Sequence, residues 1–445
     1  MTFNLTKKKV GDCIDVTDFV ANGSFASLKA NVQYLDNASP DKFAVLVRTL
    51  DFNRNWNGEY VWVDKAAYHF LKKSSLIQGD LVLCNVGSVG IVFEVPDLGL
   101  PMTLGPNSVL CRTKDINIIR QRFIYYYFLS SVGQALLEEL SGGSTVQPKF
   151  NKTVLRNSEI DIPDLAHQDF IAHTLGILDS KISTNAAISK TLEDIAQTIF
   201  KSWFIDFDPV KAKMAGEKPV GMDASTAALF PDSMEESELG LIPKGWKAGT
   251  IGEICDSVVN GSTPLRTNSA YWSSDDISWF KTGELSDNFL FESKESITQL
   301  ALEKTSVKVL PRGSVLMAIY AAPTVGRLGI LTKSASFNQA CTGMVAKNKF
   351  GTPYLYLTLF NRRFWFNSLA IGAAQQNISK VIVEGCPAIT ASQDVHNAFL
   401  KITEPIFTQI ETLGRQSNSL ALIRDSLLPR LISGELQIPD EMLAS

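Results

Sequence analysis

Ile171, Leu175, Leu178, Ile182, Asn185, Ser189, Leu192, Ala196 and Ile199 follow one another in alternating steps of four and three. That spacing keeps one side of a helix turned toward a second helix. The stretch from Gln168 to Phe200 therefore predicts a helix roughly 50 Å long at ~1.5 Å per residue. A helix so long and one-sided requires a partner. Phe399, Ile402, Ile406, Gln409, Leu413, Gln416, Leu420, Ile423 and Leu427, in steps of three and four, predict it. Asn185 and Ser189 in one seam, and Gln409 and Gln416 in the other, are polar mid-seam residues of the kind that fix register at some cost in stability. Pro405 removes a backbone donor and is expected to bend the first turns of the second helix.

Ahead of each long helix the period changes. Phe43–Arg48, Tyr60–Val63, Leu81–Val86 and Ile91–Val95 are short β-branched and aromatic runs separated by Gly, Asn, Asp and Pro, and they predict strands. Ile119 to Leu140 predicts a helix with Phe123, Tyr127, Leu137 and Leu140 on one side. A second strand-rich stretch occupies 248–384. The order of motifs repeats: Val10-Gly11-Asp12-Cys13 returns as Ile251-Gly252-Glu253-Ile254, and Gln78-Gly79-Asp80 as Arg312-Gly313-Ser314. Ser141-Gly142-Gly143-Ser144 returns as Ala370-Ile371-Gly372-Ala373, and Ile162-Pro163 with Gln168 as Cys386-Pro387 with Gln393. A period this long exceeds that of solenoid repeats and implies a duplicated two-part module. The expected fold is α+β: two strand-rich heads separated by two long helices, paired as an antiparallel coiled coil with pseudo-two-fold symmetry. Pro209 to Trp246 holds Pro, Gly and an acidic run at Glu235-Glu236-Ser237-Glu238 and reads as a connector.

The 445 residues are enough for two to four domains, and 45% apolar with 20% charged residues is ordinary for folded protein. No long apolar run marks a signal peptide or a membrane span, so a cytoplasmic chain with no membrane contact is expected. A net charge of −4 leaves any nucleic-acid binding to local basic faces. Cys13, Cys84, Cys111, Cys255, Cys341 and Cys386 are widely spaced and read as small buried residues.

Candidate chemistry is sparse. Gly87-Ser88-Val89-Gly90 lacks the spacing of a phosphate loop, a dinucleotide site or a nucleophile elbow and reads as a hairpin turn beside a ligand. His69, His167, His173 and His396 form no metal-ligand pair, and no two carboxylates share a site. No catalytic, cofactor-binding or metal-binding residue is expected. Arg and Lys beside Asn, Gln and Ser suit phosphate contact and base-edge reading. On that chemistry the DNA-binding candidates are Arg48, Asn53, Arg54, Asn85, Ser88, Ser144 and Gln147 in the first half. Arg266, Lys281, Arg327, Gln375 and Gln376 are those in the second.

Three phrases carry a family resemblance. One is Ile162-Pro163, Gln168 and Leu178-Asp179-Ser180-Lys181-Ile182, ending in Trp203-Phe204-Ile205-Asp206-Phe207-Asp208-Pro209-Val210. Another is Phe230-Pro231-Asp232-Ser233 leading to Leu241-Ile242-Pro243-Lys244-Gly245-Trp246. The last is Leu427-Leu428-Pro429-Arg430-Leu431-Ile432-Ser433-Gly434-Glu435-Leu436. With the duplication, they resemble the specificity subunit of type I restriction-modification systems. The resemblance implies target-recognition domains at 1–163 and 248–390, helices at 164–205 and 391–433, a linker at 206–247 and a tail at 434–445. Each domain would read one half of a split, asymmetric site on double-stranded DNA. The helices would serve as spacer and as docking surface for two modification subunits, through Ile171, Leu175, Leu178, Ile182, Leu192, Ile199, Ile402, Ile406, Leu413, Leu420 and Leu427. S-adenosylmethionine, ATP and magnesium would sit on partner subunits, the methyl transfer on the modification subunits and cleavage on restriction subunits. A coiled-coil adaptor without DNA specificity and a self-contained DNA methyltransferase remain alternatives, the latter weakened by the missing Asn-Pro-Pro-aromatic or Asp-Pro-Pro-aromatic tetrapeptide.

Overall fold

The computed structural model describes residues 5–142, 148–273, 275–320, 325–369 and 377–443. The chain forms two compact units, Met1–Ile182 with Ser419–Ser445, and Ser183–Asn418. Each unit combines one strand-rich head with parts of both long helices.

In the first unit, strands Ile14–Asp18, Ser108–Thr113, Leu81–Cys84 and Val92–Glu94 form an antiparallel sheet in that order. A smaller sheet runs Trp62–Val63, Ala44–Val47, Met102–Leu104, Ser75–Leu76, its two central strands parallel with Val45 opposite Met102. The second unit repeats this plan. Cys255–Asn260, Cys341–Ala346, Val315–Ala318 and Leu328–Leu331 build the large sheet, with Asn288–Leu290 added as a fifth strand. Trp272–Ser273, Glu295–Ile297, Ile277–Phe280 and Ser336–Phe337 build the small one, again with a parallel pair, Trp279 opposite Ser336.

The sequence echoes mark backbone constraints. A Cβ on Gly11 would meet the Arg156 carbonyl at 2.9 Å, and one on Gly252 the equivalent Glu384 carbonyl at 3.3 Å. Both glycines let a short helix approach the helix that precedes the closing strand. Gly79 and Gly313 occupy the left-handed region, at φ +82° and +85°, in the turn entering the same strand of each large sheet.

The two long helices, Leu165–Phe204 and Gln393–Ile432, have 40 residues each. In the first unit Asp179 pairs with Arg424 at 2.8 Å, while Ile171 and Leu175 share a core with Leu428, Leu431 and Ile432. In the second, Phe200 and Phe204 pack on Phe399, and Asn185 faces Leu413 and Ser417. Within each unit the two helices therefore run antiparallel.

Several expectations are corrected here. The helix starts are equivalent at a separation of 228 positions: Thr6 pairs with Ile162 and Lys247 with Thr390 in the closing hairpins, and Asp164 and Ser392 accept from the amides of His167 and Val395. Gln168 thus corresponds to His396, not Gln393, and Pro163 to Ala391. The match of Cys386-Pro387 to Ile162-Pro163 was a coincidence of dipeptides. The second seam is right at alternate positions only. Ile402 and Ile423 are exposed, as are Gln409 and Gln416, whereas Thr403, Ile410, Ser417 and Arg424 turn inward. Leu413 is buried and Ile406, Leu420 and Leu427 are half-buried, as are Leu178, Ile182, Leu192 and Ile199 in the first seam. The helix continues through Pro405. Pro405 and Lys401, whose carbonyl loses a donor, are both exposed, so solvent can replace the missing bond.

The single helix expected from Ile119 to Leu140 is two, Gln121–Leu129 and Ser131–Leu140, because Ser130 turns extended and its hydroxyl caps the Gly133 amide. The expected connector is a folded part of the second unit. It contains helices Asp208–Met214 and Ala224–Ala228 and a hairpin of Met234–Ser237 with Gly240–Pro243. Phe207, Val210, Phe230, Ile242 and Trp246 enter the core, Phe230 edge-on to Trp203 at 5.0 Å. Its Pro and Gly residues shape turns; its aromatics anchor them.

All six cysteines are free and buried. Among the described residues no helix is long and apolar enough to cross a membrane.

Candidate nucleic-acid interface

In each head the strand at the centre of the small sheet ends in a basic residue that starts a one-turn helix. In the first head this is Arg48, whose amide donates to Asp51 at 2.8 Å and whose guanidinium reaches the same carboxylate from Nη2 at 2.8 Å and Nε at 3.2 Å. Asp51 is 2% exposed. In the second head Lys281 donates its amide to Glu284 at 2.8 Å, and its Nζ lies 2.7 Å from Glu295. Arg266 also reaches Glu295, at 2.6 Å, and its guanidinium lies over Trp272 and Trp279 at 3.9 and 4.8 Å from the ring centroids. Hydrogen bonds from Lys281 and Arg266 hold the Glu295 carboxyl below the usual range despite partial burial.

The structure therefore separates the cations named from sequence. Arg48, Lys281 and Arg266 are paired with neighbouring carboxylates, the last two sharing Glu295, whereas the Arg54 side chain is exposed with no ion-pair or hydrogen-bond partner among the described residues, and Asn53 beside it is likewise exposed. Asn85 is structural: its Nδ2 donates to the Phe150 carbonyl at 2.9 Å, and its Oδ1 is buried without a partner among the described residues. Ser88 is exposed at the tip of the hairpin joining Leu81–Cys84 to Val92–Glu94, between left-handed Gly87 and Gly90. Arg327 is half-buried immediately before Leu328–Leu331. Ser144, Gln147, Gln375 and Gln376 lie outside the described residues.

The apolar pattern of the sequence alone does not reveal Asp51 and Glu295, the carboxylates that pair with these cations, or Glu284, which caps the Lys281 amide. A signal existed: Arg48-Thr49-Leu50-Asp51 and Lys281-Thr282-Gly283-Glu284 both follow an apolar strand with the same basic-Thr-x-acidic order.

Each head is fastened to helix segments of its own unit through a tyrosine. Tyr126 donates to Asp179 at 2.6 Å, and Asp179 also holds Arg424. Tyr356 donates to the Asp287 carbonyl at 2.8 Å and contacts Glu193 at 3.4 Å. Burial raises the Glu193 carboxyl and both phenols above their ordinary ranges. Among the described residues no group of three or more His, Cys, Asp or Glu could hold a metal ion.

Comparison with known proteins resolves what class of molecule this scaffold is. The type I restriction modification DNA specificity domain matches residues 27–194 and again 243–386, and the chain belongs to this family. Its two recognition domains make it a DNA sequence-specificity subunit. The type I restriction enzyme HindI specificity subunit of Haemophilus influenzae is 26% identical over 409 residues, 82% of this chain and 88% of that one. The type I restriction enzyme MjaIX specificity subunit of Methanocaldococcus jannaschii is 23% identical over 403 residues, 86% and 85% of the two chains. The fold is similar to that of the type I restriction-modification S subunit from M. genitalium, with a TM-score of 0.55 at 13% identity, covering 97% of this chain and 96% of that one.

Proposed function

We propose that each head reads one half of a bipartite, asymmetric site on double-stranded DNA and that the long helices set the spacing between the halves. The observation that carries this reading is the duplicated scaffold with unlike displays: two heads that share a central strand plan, each followed by a 40-residue helix, differing in their edge strands and in the residues they expose. A 40-residue helix spans about 60 Å, enough to bridge successive major-groove faces repeating every ~34–36 Å. The exposed stretches of the helices would dock two modification subunits, and restriction subunits would join that complex in the cytoplasm. S-adenosylmethionine, ATP and magnesium belong to those partners in this reading, and this chain contributes no bond-breaking group.

The test is selection of bound duplexes from a randomised pool by the full chain assembled with its modification subunits. The expected result is a two-part, non-palindromic motif whose affinity falls steeply with salt. Binding without any enriched motif would favour an adaptor, and methyl transfer by the chain alone would favour a self-contained methyltransferase.

A further inference from the structure

Duplication supplies an internal control for which surface elements are scaffold and which are display. From the capping carboxylate to the next strand of the small sheet, the two heads run segments of nearly equal length: 52–61 after Asp51, and 285–294 after Glu284. In the second head this segment is sewn into the core. Asn288–Leu290 becomes the fifth strand of the large sheet, Asp287 binds Arg363 and accepts from the Leu328 amide at 2.9 Å, and Phe289 packs edge-on to Phe407 at 6.3 Å. In the first head the corresponding residues join no sheet.

They form a braced turn instead. Asn55 and Trp56 are consecutive non-glycine residues in the left-handed region, at φ 51° and 60°, a conformation that persists only when its surroundings enforce it. Three contacts do so. The Trp56 amide donates to the Asp51 carbonyl at 2.8 Å, Tyr60 donates to the Trp56 carbonyl at 2.6 Å, and the Trp56 ring sits 5.7 Å from Phe93, on which Phe52 also stacks at 4.9 Å. Outside this brace project Asn53, Arg54 and Asn57, all exposed. Among the described residues Asn53 and Arg54 have no side-chain partner, and Asn57 makes a single bond, to the Asn55 carbonyl at 3.1 Å. A rigid backbone carrying one guanidinium and the three exposed carboxamides of Asn53, Asn55 and Asn57, with most donors and acceptors uncommitted, is the chemistry that recognises purine edges in the major groove.

We propose that Asn53, Arg54 and Asn57 are specificity-determining residues of the first head, reading bases in one half-site, an assignment that rests on the DNA-reading function proposed above. Strain held by buried contacts places these side chains before DNA arrives, so ordering them costs little on binding. The second head, whose equivalent segment is committed to its own sheet, reads its half-site from other residues.

The experiment repeats the duplex selection with the assembled complex carrying Asn53→Ala, Arg54→Ala, Arg54→Lys or Asn57→Ala, with Asn288→Ala as the control in the second head. Expected for the alanine variants is a loss of base preference of roughly tenfold or more at one or two positions, confined to one half-site. Arg54→Lys should keep affinity and salt slope while relaxing the base preference, because an ammonium lacks the planar fork. Asn288→Ala should leave both half-sites as they are. An unchanged motif in all three alanine variants overturns the assignment, and so does equal blurring of both half-sites. If the unaltered complex itself enriches no motif, the DNA-reading function fails along with it.

Discussion

The two heads begin from the same cap, an acidic side chain bonded to the amide of a basic residue, and then diverge. In the second head the following segment extends the large sheet to five strands and ties Asp287 to Arg363; in the first it becomes a free-standing braced turn. A residue that maintains the scaffold recurs in both copies, as Gly79 and Gly313 or Arg48 and Lys281 do. A residue that distinguishes one head from the other stands where the copies part. The asymmetry of the molecule thus lies in short segments hung on a common frame, and the contrast can be tested at several depths.

The largest effect should come from exchanging the whole first head, residues 10–155, for that of another family member. One half-site should change by a factor of ~10³ or more in preference while the other stays fixed, read by mapping bound or modified sequences. A change in the opposite half would break the modular picture. Adding one heptad to both helices should widen the gap between half-sites without altering either, read in the same assay.

A smaller contrast lies at the helix starts. Gln168 donates to the Pro163 carbonyl at 2.9 Å, whereas His396, its counterpart, accepts at Nε2 from the Ala391 amide at 3.1 Å. Burial lowers the His396 pKa from 6.5 to about 4, and its Nδ1 is buried without a partner. The unfolded chain therefore takes up a proton first as pH falls. Stability of the second unit is intact above pH 6.5 and declines toward pH 4, by up to about 3 kcal/mol. Hydrogen exchange resolved by region should show this slope in the second unit, and His396→Gln should flatten it.

Asp51→Ala should destabilise the first head by about 2 kcal/mol, since it removes a buried cap and leaves Arg48 unpaired, whereas Glu284→Ala, at a more exposed cap, should cost about half as much. Thermal unfolding of the two variants measures the difference. Smallest is Asn185→Leu. Asn185 is 1% exposed and, among the described residues, its Oδ1 has no partner and its Nδ2 makes only long contacts of 3.4 and 3.5 Å. Replacement should raise the melting free energy by about 1 kcal/mol while loosening helix register.

The duplication is legible because several of its markers are glycines at close backbone approaches, Gly11 and Gly252, or at positive φ, Gly79 and Gly313. Both long helices are legible from periodicity, but in the second seam alternate positions, Ile402, Gln409, Gln416 and Ile423, fall one residue short of the inward-facing Thr403, Ile410, Ser417 and Arg424. Pro387 and Gln393 mimic Pro163 and Gln168 in type while standing elsewhere in the register, and only the closing hairpin settles which residues correspond. The connector misled because Pro and Gly suggest slack, whereas Phe207, Phe230 and Trp246 are what fix it. At the candidate interface, residue type alone could not distinguish free cations from occupied ones. Arg48 is paired with a neighbour three residues on, but Arg266, in a turn ahead of the small sheet, is paired with Glu295 on the strand Glu295–Ile297, a proximity that exists only once the sheet has formed.

The first unit is completed by the end of the second long helix and the segment that follows it. Leu428, Leu431, Ile432 and Ile438 share a core with Val10, Ile14 and Ile171. During synthesis the first head must wait, its apolar face open, until the second head and the helix Gln393–Ile432 have followed it, so it is the head most dependent on chaperone protection and most sensitive to a premature stop codon.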